Sequence, residues 1–162
     1  MTKFILFLLM LAGSSAAHSQ NFVLPYGEFM DTTVVVNPKC DNTYLIYYYH
    51  INTRYPVGTE SLLSESKSFL SKTGQKYAGS GYITFRFMID CEGKMQRVRV
   101  MQVDDDYKPK HFDKRFVSDL NDYIHTLDRW QTGVSAYQMN NVNYIAYFSF
   151  RIKNGEVINV IY

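Results

Sequence analysis

The chain has 162 residues, room for a single domain, and a formal net charge of +2. So near-neutral a balance excludes an electrostatic case for nucleic acid or for an anionic membrane surface. Aromatic residues make up 16% of the chain, including 14 Tyr, which favours a β-rich fold with a sizeable core.

Residues 1–19 read as a secretory signal. Lys3 is a minimal basic start, residues 4–11 are an uninterrupted apolar run, and small residues follow. The run is far shorter than the roughly 20 residues that a spanning helix needs. Cleavage after Ser19 is expected, which places the mature chain in the periplasm or outside the cell. Taking Lys3 out of the +2 balance leaves +1.

Residues 20–53 form an N-terminal, β-like extension. A short strand is expected over residues 32–36, ended by Asn37-Pro38. A second β-like run covers residues 44–51, with Tyr47-Tyr48-Tyr49 at its centre. Such a cluster is either an exposed binding platform or, more simply, a strand with one buried face.

Arg54-Tyr55-Pro56-Val57-Gly58 turns into a helix. Leu62, Leu63, Ser66, Phe69 and Leu70 fall at helical spacing, and Gly74 stands where a C-terminal cap belongs. Next comes the clearest hairpin. Ile83, Phe85, Phe87 and Ile89 alternate with Tyr82, Thr84, Arg86 and Met88, and residues 90–93 supply the turn. Met95 and Val98 are an odd number apart, which predicts a bulge on the returning strand. Asp104-Asp105-Asp106 lacks the alternating spacing of a calcium loop and reads as a solvated loop.

A second helix carries Phe112, Phe116, Leu120, Tyr123, Ile124 and Leu127 on one stripe, with Trp130 at its end. The third clear strand spans residues 144–153. Asn154-Gly155 then predicts a tight hairpin, with residues 156–162 returning. The expected fold is α+β: an antiparallel sheet with helices packed on one face. Phe87, Phe116, Leu120, Trp130, Phe148 and Phe150 are expected to share its core.

Residues 54–161 resemble the TonB C-terminal domain, in the form common in energy-transducer-like proteins of Bacteroidetes-type bacteria. Tyr55-Pro56 with Gly58 is similar to the family's Tyr/Phe-Pro-Gly-Gly opening. The hairpin from Gly81 through Ile89-Asp90 and Gly93-Lys94-Met95 resembles its glycine-led hairpin. The helix ending in Arg129-Trp130 and the strand with Phe148, Phe150, Arg151 and Ile152 resemble its last two elements. The chain lacks the family's proline after the Trp, and a long Pro-rich spacer, so energy transduction is not expected of it. The resemblance implies a domain over residues 54–162 that takes an extended peptide from an outer-membrane transporter or receptor as an extra strand. The edge it would use here is residues 144–153, with Tyr144, Ile145, Tyr147, Ser149 and Arg151 as candidate partner-binding residues. Residues 156–162 could instead fold back over that edge.

Two cysteines, Cys40 and Cys91, sit in a chain bound for an oxidising compartment, so a disulfide and a pair of buried thiols are both open. No His lies at ligand spacing to either, and no metal or cofactor is expected. No glycine-rich phosphate loop opens a helix and no Gly-x-Ser-x-Gly is present, so no catalytic residue is assigned. The leading reading is a protein-binding module of the envelope. The alternatives are a stand-alone structural or assembly protein and a hydrolase with an unrecognised site.

Overall fold

The computed structural model describes residues 28–30, 37–40, 45–136 and 138–162. The expected signal over residues 1–19 and the strand over residues 32–36 lie outside them. The fold is α+β. Its strands are β1 (Glu28–Phe29), β2 (Leu45–Tyr47), β3 (Gly81–Ile89), β4 (Met95–Val103), β5 (Gly133–Val134), β6 (Asn140–Lys153) and β7 (Glu156–Ile161). The helices are α1 (Thr59–Lys72) and α2 (Lys114–His125), with a 3-10 turn at Tyr48–His50.

The centre of the sheet is β4-β3-β6, all antiparallel, as the alternation along β3 and β6 demands. Phe85 faces Phe148 and Ile83 faces Phe150 across the β3–β6 pair, so the apolar positions stack on one face. Both helices lie on that face. The α2 stripe places Phe116, Leu120 and Ile124 at zero exposure, and Leu62 of α1 is equally buried. Tyr123 ties the helices together, donating its hydroxyl to the Leu62 carbonyl at 3.1 Å. The expected core residues share one cluster, with Trp130 only half-buried at its margin. Asp113 caps α2, accepting from the Arg115 and Phe116 amides.

The bulge lies where the spacing predicts it. Arg86 pairs with Arg99 and Met88 with Gln96, so Arg97 and Val98 together oppose Phe87. Arg97 takes a positive φ of 55° to make room.

The expectation of a purely antiparallel sheet is corrected by β2, which runs parallel to β6 with Leu45 opposite Asn143 and Tyr47 opposite Ile145. More than ninety residues join the two strands, so no hairpin dictates their direction. The extension is therefore part of the sheet at both ends, since β1 pairs with Val100 and Arg99 of β4. The strand expected over residues 44–51 is also shorter than its composition suggests. After Tyr47 the backbone turns away, and β5 captures it: Ala136 donates to the His50 carbonyl at 2.8 Å and Asn52 to the Val134 carbonyl at 3.0 Å. Tyr47, Tyr48 and Tyr49 are left 40%, 48% and 62% exposed, so the reading with a buried face fails.

The Asn154-Gly155 turn joins β6 to β7, with φ of 53° and 81°. Gly155 also donates to the Gly79 carbonyl, and a Cβ there would run into the Tyr77 carbonyl. Gly155→Ala is therefore expected to cost roughly 1–3 kcal/mol. An unchanged denaturant midpoint would show that the turn is not built this way.

Candidate functional site

Residues 144–153 are not a free edge. Gly81 to Ile89 of β3 pair along one side of β6. On the other side β2 covers Asn143 to Ile145, and β7 covers Ser149 to Lys153. The tail binds there because it is a core strand in its own right. Val157 and Val160 are each 1% exposed, and α1 packs against β7. Between the two covering strands, Ala146, Tyr147 and Phe148 have a strand partner on the β3 side alone, among the described residues.

That three-residue notch opens into a groove of about 380 Å³. Tyr48 and Tyr49 form one wall, Tyr55, Trp130 and Tyr162 another, and Ala146 with Tyr147 lies between them. Three anchors hold its shape. Tyr48 packs edge-on to Tyr147 with ring centroids 4.9 Å apart. Tyr55 lies 4.7 Å from Trp130. Tyr162 stacks on Phe148 at 5.3 Å and donates its hydroxyl to the Val57 carbonyl.

The five expected partner-binding residues separate. Tyr144 and Tyr147 line the groove. Ile145 is 2% and Ser149 9% exposed, so neither belongs to an exposed face; the Ser149 hydroxyl lies 2.7 Å from that of Thr84. Arg151 is exposed but lies away from the groove, over the Tyr82 ring at 5.9 Å. Burial pushes the Tyr144 phenol well above its ordinary range, and its hydroxyl donates to the Gln131 carbonyl at 3.0 Å. Tyr144 is thus a neutral wall of the groove and not a proton donor near neutral pH.

The walls come from four separate parts of the chain. Tyr47-Tyr48-Tyr49 carried a local signal as an aromatic cluster, and Tyr144 and Tyr147 one as part of the expected edge. Arg54, Trp130 and Tyr162 had none, because their meeting depends on the path of β5 and β7.

Cys40 and Cys91 are joined in a disulfide, with Cα atoms 5.6 Å apart. The bridge fastens the extension to the β3–β4 turn. Asn37 adds hydrogen bonds to Asp90 at 3.1 Å and Glu92 at 2.9 Å. Lys94, then Asn37 and Lys39, hold the Glu92 carboxyl below its ordinary range. Among the described residues, no group of three His, Cys, Asp or Glu is placed to hold a metal ion. No helix among them is long and apolar enough to cross a membrane. Compared with known proteins, the chain matches no family model, no curated protein and no solved structure.

Proposed function

We propose that this chain is a non-catalytic protein-binding module of the cell envelope. It resembles the TonB C-terminal domain and engages an extended segment of an envelope or outer-membrane protein by strand addition, without transducing energy itself. The order helix, hairpin, helix, strand from Tyr55 to Lys153 is the order that the resemblance implies. The observation that carries the reading is the notch: among the described residues, Ala146, Tyr147 and Phe148 are the stretch of β6 left between the parts that β2 and β7 cover. A strand edge without a neighbour offers backbone donors and acceptors to a partner. The short signal-like start favours an exported chain.

The tail bears on the alternative reading, a stand-alone structural or assembly protein. By occupying residues 149–153 it favours a closed scaffold. A weakened tail separates the two. Removing all of β7 would strip Val157 and Val160 from the core, and trimming Tyr162 would remove a wall of the groove, so the variant is Ile161→Pro. Proline has no amide to donate, which weakens the Ser149–Ile161 pair and keeps Tyr162. A pool of blocked, extended pentapeptides is then expected to bind this variant several-fold more tightly, with slowed amide exchange over residues 146–149. If no amide there gains protection and affinity stays flat, strand addition on β6 is wrong and the scaffold reading stands.

A further inference from the structure

We propose that the groove beside the β6 notch is a selective site for an acidic extended peptide, seating one aromatic side chain between the tyrosine walls and placing a carboxylate on Arg54. This rests on the binding-module reading above and specifies its ligand.

The first observation is the size of the opening. Three residues without a second strand span about 10 Å at the rise of a β-strand, but Phe148 is fully buried and Ala146 is 7% exposed, so the opening suits one or two residues of a partner and no long strand. Affinity must therefore come from side chains as well as from backbone bonds. A groove of about 380 Å³ holds one or two of them.

The second observation is the chemistry of the walls. They are mainly aromatic, and an entering aromatic ring meets them edge-on or offset at small entropic cost. Trp130 contributes a buried Nε1 that has no acceptor among the described residues.

The third observation is charge. Among the described residues, Arg54 is the single ionic residue lining the groove, and no Asp or Glu lines it. Among the described residues Arg54 makes no ion pair, and its neighbours hold its backbone on both sides. Thr53 is bonded to Thr132 and Val134, and Tyr55 is buried against Trp130. A guanidinium carried on a held backbone at the rim of an aromatic-walled groove favours a carboxylate.

A sugar chain also stacks on tyrosines, but it needs side-chain carboxylates or amides to hold its hydroxyls. Among the described residues, no Asp, Glu, Asn or Gln lines the groove. The observations therefore favour the peptide.

The test uses the full chain and blocked pentapeptides Thr-Phe-Val-Glu-Thr, with Gln or Lys replacing Glu, or Ala replacing Phe. Titration with amide chemical shifts read over residues 146–148 gives site and affinity together. The Glu peptide is expected to bind about tenfold more tightly than the Lys peptide, and the Ala peptide to lose a comparable factor. Arg54→Glu should reverse the Glu-over-Lys preference while leaving the melting temperature unchanged, because Arg54 is exposed. Equal binding of all charges at the notch overturns this inference and leaves strand addition standing. No binding by any peptide overturns both. Binding of an N-acetylglucosamine oligomer at the same tyrosines, with peptides silent, replaces the peptide with a glycan.

Discussion

Phe116→Ala is expected to destabilise the protein by about 3–5 kcal/mol. Phe116 is fully buried in the stripe of α2. Its ring stacks on Tyr77 with centroids 4.1 Å apart and meets Phe112 edge-on at 6.3 Å. Truncation leaves a hole that none of these neighbours can fill without moving. Tyr77 is least free to move, because Asp119 accepts from its hydroxyl. A loss of this size is a large share of the roughly 5–15 kcal/mol that holds a typical domain together. Thermal melting should fall by roughly 10–20 °C. Tyr49→Ala is the control. Tyr49 is 62% exposed, so its loss should change stability by at most about 0.5 kcal/mol. Equal shifts for the two variants would mean that α2 does not cover the sheet.

Breaking the Cys40–Cys91 bridge is expected to cost about 4 kcal/mol on the chain-entropy account, given a sequence separation of 51. The double variant Cys40→Ser, Cys91→Ser should show it as a lower denaturant midpoint, and a thiol reductant should do the same to the native chain. Among the described residues no cysteine is free, so unfolded, unreduced protein should show no reactive thiol. Two reactive thiols per chain would refute the bridge. The loss should also appear at the groove. The bridge and the β5 pairing at His50 and Asn52 hold the two ends of the segment that bears β2 and the exposed tyrosines.

Much of the centre of the fold could be read from local pattern. Period-two alternation along Ile83, Phe85, Phe87 and Ile89 means one buried face whatever the neighbours are. The α2 stripe is likewise a property of helical spacing, and the Asn154-Gly155 turn follows from which residues tolerate positive φ. The odd spacing of Met95 and Val98 revealed a bulge for the same reason.

Local pattern determined the faces of the strands but not their neighbours. Residues 144–153 read as an edge, because alternation says which side chains are buried and nothing about which strand lies alongside. The Asn154-Gly155 turn predicted a strand returning beside that edge, as β7 does along Ser149 to Lys153, but only the tertiary structure decided that β2, more than ninety residues upstream, would take Asn143 to Ile145. The three-residue notch is what that local hairpin and that non-local pairing leave over. The exposure of Tyr47 to Tyr49 was settled in the same way, when β5 drew the backbone off β6 before a strand face could form. Composition placed two cysteines in the chain. Their pairing required the extension to reach the β3–β4 turn, bringing Cα atoms within 5.6 Å. Side-chain period is set by bonded geometry within a few residues, whereas edge occupancy depends on contacts between segments whose sequences carry no local record of one another.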